Sequence, residues 1–296
     1  MPNIGFIGLG NMGAPMAANL LKSGGHVVGF DVIAAARQAS AQLGVEIASS
    51  AKGSVEDADI VITMLPAGEH VRAVWAEILP AAKRGALFID CSTIDVTSAR
   101  AAHGLATDRG IASLDAPVSG GVAGAKAATL TFMVGGTAEA FGRGKPVLER
   151  MGKRVVHCGD AGNGQAAKIC NNMILGASMI AVSEAFVLGE KLGLSHQALF
   201  DVASASSGQC WSLTSYCPVP GPVPASPANN GYKPGFSAAL MLKDLKLARE
   251  AAAAVQARTA IGAHAAEIYD RYAAAGHSGS DFSGIINFVR EASKAG

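Results

Sequence analysis

The sequence has few charged and few aromatic residues, and neither charge sign predominates. Of its 296 residues, 16% are charged and 5% are aromatic, and 24 lysines and arginines face 23 aspartates and glutamates. Proteins that bind nucleic acid or anionic membranes usually carry a strongly basic surface. We therefore expect neither a nucleic-acid nor a membrane partner, and the expected partner is a small molecule.

Cysteine is also scarce. The five cysteines are an odd number without a C-x-x-C pair: Cys91, Cys158, Cys170, Cys210 and Cys217. This pattern argues against a disulfide framework and against a zinc or iron–sulfur site, so no metal is expected. Reduced thiols, and a strand-like run that already begins at Asn3, favour a cytoplasmic protein over a secreted one. A mitochondrial matrix location is expected only for a eukaryotic protein whose targeting peptide has been removed.

Strand-like and helical patterns alternate in the first half of the chain. The runs IGFIG, HVVGFD, DIVITML, ALFIDCS and RVVHCG are separated by alanine-rich amphipathic segments, and TLTFMVGG at 129–136 has the pattern of a further strand. Such alternation predicts a parallel sheet covered by helices on both faces. Residues 1–162 are therefore predicted to form an α/β Rossmann domain with a doubly wound, mostly parallel sheet.

Helical periodicity dominates after a cluster of glycines near residue 160. Long helices are predicted over 165–192, 238–254 and 261–275, and hardly a strand pattern remains. The apolar run 169–183 is shorter than the ~20 residues that span a bilayer, so we interpret it as part of a buried helix. Residues 163–296 are thus predicted to form an all-α domain for substrate binding and oligomerisation. Its proline-rich segment 217–235 is predicted to be irregular.

A glycine-rich turn predicts a dinucleotide site. Gly8-x-Gly10-x-x-Gly13 follows the first strand and opens a helix, and Asp31 ends the next strand. The glycines permit the tight turn, the approach of the pyrophosphate and close helix–strand packing, and the helix N-terminus attracts phosphate. A carboxylate at Asp31 bonds ribose hydroxyls and repels a 2′-phosphate, so NAD is the expected cofactor. The residues between the glycines belong to the same predicted site: Leu9, Asn11 and Met12.

Two further loops are expected to reach the cofactor. Leu65 and Pro66 lie at the end of the strand-like run DIVITML and Thr93 directly follows the run ALFIDCS, where strand ends of this fold meet the nicotinamide half. Arg37 does not directly follow Asp31 and is interpreted as a solvated surface charge. The glycine pattern alone would also suit an ordinary turn, but the strand, turn, helix and acid occur together.

Lys168 and Asn172 form a candidate catalytic pair. They stand four residues apart at the start of the longest predicted helix, so they share one face. A lysine in a cleft beside the nicotinamide would be desolvated, and the positive charge that the nicotinamide gains on oxidation would repel it. Both effects favour neutral lysine, which can accept a proton. From the spacing alone, a surface lysine beside a buried asparagine is the competing interpretation.

Motifs along essentially the full chain resemble those of the β-hydroxyacid dehydrogenase family. They are FIGLGNMGAPMAANL near the N-terminus, DAPVSGG at 115–121, GNGQAAKICNN at 162–172 and KDLKLA at 243–248. The segment SSGQCWSLTSYCPVPG at 206–221 is similar to the substrate-domain loop of family members that oxidise 3-hydroxyisobutyrate. The resemblance implies NAD-dependent oxidation of 3-hydroxyisobutyrate in valine catabolism by a homo-oligomer, either a dimer or a tetramer.

The resemblance also implies roles for individual residues. Lys168 is the expected catalytic acid/base, and Asn172 is expected to hold its ammonium and the substrate. Ser119, Gly120 and Gly121 match the substrate-binding motif of the family. This match is chemically reasonable because a serine hydroxyl and glycine N–H groups can form a nest for a carboxylate.

A few further residues receive assignments. Lys243 matches a family lysine near the cofactor, and its neighbour Asp244 is expected to be a structural partner. His70 replaces an asparagine of the relatives and is left outside the predicted site. Trp211 and Phe236 could shield a substrate methyl group from water, although each is more often a packing residue.

Three alternatives to this assignment differ in chemistry. A short-chain dehydrogenase is excluded because none of the four tyrosines has a lysine four residues later. A serine-type dehydrogenase or a tartronate semialdehyde reductase stays open, because one methyl or amino group changes binding in a pocket only modestly. A catalytically silent NAD-binding module would need neither Lys168 nor Asn172.

Overall fold

The computed structural model describes residues 2–294, which form two compact units that divide between Lys168 and Ile169. The division lies a few residues beyond the predicted boundary between 162 and 163, inside a helix that begins at Asn163. The assignment of one part to cofactor binding and the other to substrate binding and oligomerisation stays a prediction.

The first unit contains a six-stranded sheet in which every paired neighbour is parallel. The strand order is β3-β2-β1-β4-β5-β6, which is the Rossmann order. The predicted fold class is therefore confirmed. The strands are β1 Asn3–Ile7, β2 His26–Phe30, β3 Glu46–Ile47, β4 Ile60–Thr63, β5 Leu87–Asp90 and β6 Ala112–Asp115. The helices between them are α1 Gly13–Lys22, α2 Ala34–Gln42, α3 Gly68–Ile78 and α4 Val96–Thr107.

Side chains of this sheet alternate between two apolar clusters, one on each face. Ile60 and Ile62 of β4 belong to one cluster, whereas Val61 between them belongs to the other. Successive side chains of a strand point to opposite faces, so a strand that is buried on both faces is apolar throughout. This explains why the central strands were recognisable from the sequence.

A smaller sheet of three strands follows in the same unit. It consists of β7 Val118–Ser119, β8 Leu130–Val134 and β9 Gly152–His157, with helices α5 Gly121–Ala127 and α6 Ala138–Leu148. β7 pairs antiparallel and β9 parallel with β8. The sequence predicted β8 and β9 as strands but did not separate them from the large sheet. It missed β3 and β7 because two-residue strands leave no measurable periodicity, and it missed β6 because the sequence Ala-Ser-Leu-Asp contains no continuous apolar run.

The second unit is helical, as predicted. Its helices are α7 Asn163–Lys191, which begins in the first unit, α8 His196–Ser204, α9 Trp211–Thr214, α10 Ala238–Ala254, α11 Ala260–Tyr272 and α12 Ile285–Ala292. The three predicted long helices correspond to α7, α10 and α11. The shorter α8, α9 and α12 were not predicted from the sequence.

Helix α7 is the longest element, with 29 residues. By length and composition alone it could cross a membrane, but half of its most apolar window is buried within the protein. Met179 and Ile180 pack with Met241 and Leu245 of α10 and with Ala265 of α11. The interpretation of its apolar stretch as part of a buried helix is therefore supported.

One buried carboxylate holds both ends of the proline-rich segment 217–235. Asp281 accepts hydrogen bonds from the Tyr216 hydroxyl at 2.9 Å, from Gly235 N at 2.9 Å and from Phe236 N at 3.1 Å. Within the segment the only helical element among the described residues is a short 3-10 turn, Pro227–Asn230. The prolines prevent regular structure, and Asp281 supplies hydrogen bonds that fix the flanks of the segment.

A buried network joins the carboxyl ends of β4 and β5. Thr63 Oγ1 and Ser92 Oγ donate to Asp90 Oδ1 at 2.7 and 2.6 Å. Trp75 Nε1 donates to Thr63 Oγ1 at 3.2 Å, and Leu65 N donates to Ser92 Oγ at 2.7 Å. The network therefore fixes the backbone where the loops after both strands begin.

Burial raises the pKa of the Asp90 carboxyl to about 6. Hydrogen bonds from Ser92 and Thr63 oppose this shift without cancelling it. Asp90 Oδ2 is buried and has no hydrogen-bond partner among residues 2–294. A charged carboxylate with one unsatisfied oxygen is costly, so the folded protein retains this proton more readily than the unfolded chain does.

Replacement of Asp90 by asparagine should remove one component of the pH dependence of stability. The folded pKa of about 6 exceeds the ordinary value of 3.8, so the proton favours folding below that range. Stability should therefore fall by at most about 3 kcal/mol as pH rises from about 4 to 6. Asp90→Asn keeps the acceptor oxygen, and its urea midpoint should vary less over this range than that of the parent.

Exposed Asp57 gives the matched control, because Asp57→Asn should leave the parental slope unchanged. Equal slopes for the parent and Asp90→Asn would show that Asp90 does not titrate in this range.

Candidate active site

The glycine-rich turn lies directly after β1, where the sequence placed it. Gly8 has φ +97°, and a Cβ there would overlap the Met64 carbonyl. A Cβ on Gly13 would overlap the Gly8 carbonyl, so both positions require glycine for the fold itself. At Gly10 a Cβ would meet nothing within 4 Å. The open space at Gly10 is therefore available to a ligand that approaches the backbone closely.

Helix α1 begins at this turn. Its first positions carry no acidic side chain, and no side chain within residues 2–294 caps its start at Met12. Backbone N–H groups and the positive end of the helix dipole therefore face the turn, which suits a pyrophosphate. The residues present fit a dinucleotide: Gly10 supplies the room and α1 supplies the donors.

Asp31 stands at the end of β2 and turns towards the glycine loop. Its carboxylate accepts hydrogen bonds from Leu9 N at 2.7 Å and from Ile33 N at 2.8 Å. These bonds orient the carboxylate at the edge of the turn, where the fold binds an adenosine ribose.

The interpretation of Arg37 as a solvated charge is wrong. Arg37 is half-buried, donates from Nη1 to the Asp31 carbonyl oxygen at 2.5 Å and lies 5.7 Å from the centre of the Phe30 ring. Helix α2 directs the side chain back over the end of β2, which the sequence spacing could not indicate. Arg37 therefore stabilises the backbone that carries Asp31.

The loops after β4 and β5 begin at the same sheet edge as the glycine turn. Leu65 and Thr93 are half-buried and Pro66 is exposed. Because β1, β4 and β5 are parallel neighbours, their carboxyl ends, and thus these three loops, lie side by side. His70 is exposed within α3.

Ser119, Gly120 and Gly121 connect β7 to α5. Gly120 has φ +129° and Gly121 has φ +60°, conformations that side-chain-bearing residues rarely adopt. Ser119 is half-buried and pairs with Thr131 of β8. The carboxylate nest predicted at this turn would use the serine hydroxyl and the backbone N–H groups at these glycines.

Lys168 and Asn172 are both buried, with 6% and 1% of their surfaces exposed. They lie one turn apart on α7. Asn172 Nδ2 donates to Asp244 Oδ2 at 2.5 Å, and Asn171 Nδ2 donates to Asn172 Oδ1 at 2.9 Å. Asp244 therefore orients the Asn172 amide, in agreement with the structural role expected for it. Its neighbour Lys243 is half-buried on α10 of the second unit.

Sequence reasoning missed the acid that holds the start of α7. Asp115, at the end of β6, accepts hydrogen bonds from Gly162 N at 2.8 Å and from Gln165 N at 2.9 Å. His103 Nε2 lies 3.0 Å from Asp115 Oδ1, and Ser113 Oγ lies 2.7 Å from His103 Nδ1. The motif DAPVSGG that begins at Asp115 was the available signal, but only its serine and glycines were assigned.

Side chains of the types that bind metal ions are not grouped within residues 2–294. Among residues 2–294, no set of three or more histidine, cysteine, aspartate or glutamate side chains is placed to hold a metal ion. All five cysteines, each within this range, are free thiols.

Both halves of the chain match family models. Residues 3–159 match the NAD binding domain of 6-phosphogluconate dehydrogenase. Residues 162–289 match a model described as NAD-binding of NADP-dependent 3-hydroxyisobutyrate dehydrogenase. Together with the glycine turn, these matches confirm NAD as the cofactor.

Several relatives are similar over almost their full lengths. The chain is 56% identical over 290 residues to a probable 3-hydroxyisobutyrate dehydrogenase of Mycobacterium bovis, covering 98% of both. It is 46% identical over 286 residues to an NAD-dependent L-serine dehydrogenase of Pseudomonas aeruginosa, covering 96% of both.

A solved structure shows the same likeness. Mycobacterium tuberculosis 3-hydroxyisobutyrate dehydrogenase with L-serine has a TM-score of 0.96 and 56% identity, and the match covers 98% of this chain and 99% of that one. Because the family models and these relatives agree along nearly the whole chain, the chain belongs to the 3-hydroxyisobutyrate dehydrogenase family of NAD-dependent dehydrogenases.

Proposed function

We propose that the protein oxidises 3-hydroxyisobutyrate to methylmalonate semialdehyde during valine catabolism, with Lys168 as the acid/base. The observation that carries the proposal is the burial of Lys168 in a chain that matches a probable 3-hydroxyisobutyrate dehydrogenase over 98% of its length. Lysine is seldom fully buried in a folded protein, so a buried lysine is a candidate for a function in the site. The proposed proton transfer supplies that function.

Substrate binding is assigned to the Ser119–Gly121 turn. The serine hydroxyl and the backbone N–H groups at the positive-φ glycines would hold the carboxylate. The primary alcohol of the bound substrate would then point to Lys168. Asn172, whose amide Asp244 orients, would hold the ammonium form of Lys168 and the substrate hydroxyl.

Two bonds of the substrate alcohol break in the reaction. The O–H proton passes to the neutral Lys168 Nζ, and the hydride leaves from the carbinol carbon as the carbonyl forms. NAD supplies the hydride acceptor when bound. In the reverse reduction the Lys168 ammonium returns the proton to the aldehyde oxygen.

Lys168→Ala should lower kcat by about 100- to 10,000-fold, because general acid–base help of this kind contributes that much. The affinity for NAD, measured by calorimetric titration, should change little because the glycine turn is intact. Lys145→Ala, at an exposed position of α6, is the matched control and should retain parental turnover. Near-parental turnover in Lys168→Ala would remove this lysine from the mechanism.

Asp31→Ala should weaken discrimination against NADP, because the carboxylate that repels a 2′-phosphate is lost. The ratio of kcat/KM for NAD to that for NADP should fall at least about tenfold, equivalent to ~1.4 kcal/mol. Asp57→Ala should keep the parental ratio. A parent protein that prefers NADP in the same assay would overturn the assignment to Asp31.

Oxidation of L-serine is the second candidate activity. It is favoured by the 46% identity to an L-serine dehydrogenase and by the similarity to a structure that contains L-serine. NADH formation from 3-hydroxyisobutyrate, L-serine and D-glycerate, compared as kcat/KM, separates the candidates and includes the tartronate semialdehyde reductase alternative. The proposal expects 3-hydroxyisobutyrate to have the highest value, and a higher value for L-serine would replace it.

We also propose that the protein is a homo-oligomer in the cytoplasm. Helix α7 exposes apolar side chains, with exposed fractions of 67% at Ile174 and 59% at Leu188, and Leu192, directly after the helix, is 76% exposed. Such residues favour association with another copy of the chain. The free thiols are consistent with a reducing compartment.

A further inference from the structure

Gln165 makes an unusual pair of hydrogen bonds in the first turn of α7. Its side chain is fully buried, and Nε2 donates to the Ser92 carbonyl at 2.8 Å. Its Oε1 accepts from Ile94 N at 3.1 Å. The amide thus bonds the backbone on both sides of Thr93, in the loop after β5. One side chain thereby replaces the pairing that a neighbouring strand would supply.

The backbone of the same turn is held as firmly as its side chain. Gln165 N and Gly162 N both donate to the buried Asp115 carboxylate. A Cβ on Gly164 would overlap the Met133 carbonyl and lie 2.6 Å from the Asp115 carbonyl, so this turn packs directly on the ends of β6 and β8. The first turn of α7 cannot shift without breaking these contacts.

Lys168 lies three residues after Gln165, less than one turn further along the same helix. Both side chains are buried, and both residues belong to the first unit. The position of Lys168 relative to Thr93 therefore depends on the Gln165 side chain and on the short piece of helix between Gln165 and Lys168. A shift of about 1 Å in such an arrangement can cost roughly 100-fold in rate.

We propose that Gln165 is a positioning residue that fixes Lys168 relative to the cofactor loop at Thr93. This inference rests on the proposed proton transfer by Lys168. The role needs one donor and one acceptor at a fixed separation. Leucine provides neither, and ionised glutamate provides only the acceptor.

Hydrogen exchange tests the coupling without any substrate. In Gln165→Leu the Ile94 N–H loses its acceptor, so exchange in the segment 91–96 should become at least about tenfold faster than in the parent. Gln197→Leu, an exposed glutamine on α8, is the matched control and should leave that segment unchanged. Parental exchange of this segment in Gln165→Leu would overturn the proposal.

Kinetics tests the consequence for catalysis. Gln165→Leu should lower kcat by roughly 10- to 100-fold while KM for NAD changes less than about threefold, because the glycine turn still binds the cofactor. A variant with parental kcat, or one impaired only in KM for NAD, would contradict positioning of the lysine.

Gln165→Glu keeps the proposal testable if the leucine variant does not fold. When protonated, glutamic acid can donate to Ser92 and accept from Ile94 as glutamine does. The ratio of variant to parent kcat should therefore rise as pH falls from about 8 to 5, whereas a ratio independent of pH would count against the proposal. A parent that forms no NADH from any 3-hydroxy acid would refute the proposed function, and hydrogen exchange would still decide the role of Gln165.

Discussion

The buried Asp115 carboxylate is the interaction on which the candidate site depends. It ends β6 and accepts two backbone N–H groups at the start of α7, with His103 beside it. A carboxylate at a helix N-terminus is stabilised by the helix dipole, and a buried one is tolerated only with several donors. Because Lys168 follows on the same helix, its position relative to the sheet depends on this acid together with Gln165.

Two buried acids stand side by side at the carboxyl edge of the sheet. Asp90 and Asp115 are paired in register across β5 and β6. Asp115 receives N–H donors that hold a helix, whereas Asp90 receives mainly hydroxyl donors that hold two loops, and the nearby Asp115 charge contributes to its raised pKa. Different donor sets thus give two neighbouring carboxylates different structural functions at one edge.

The second unit depends on a third buried acid, Asp281, which orders the flanks of the proline-rich segment. Tyr216, bonded to Asp281, stacks between Trp211 and Phe282, at centroid distances of 4.9 and 5.3 Å. Trp211 nevertheless keeps 52% of its surface exposed, a high fraction for a tryptophan. Stacking on Tyr216 therefore orders an aromatic ring of which half the surface stays exposed.

The sequence by itself determined the fold class, the glycine turn, Asp31 and the three long helices. Each leaves a local signal, either a period or a fixed spacing of glycines and acids. The strands β3, β6 and β7, the engagement of Arg37 and the hydrogen bonds of Asp90, Asp115 and Gln165 were decided only by the tertiary structure. Gln165 and Ser92 are 73 residues apart, and such a contact has no local pattern because it arises from the packing of a helix against a distant strand end.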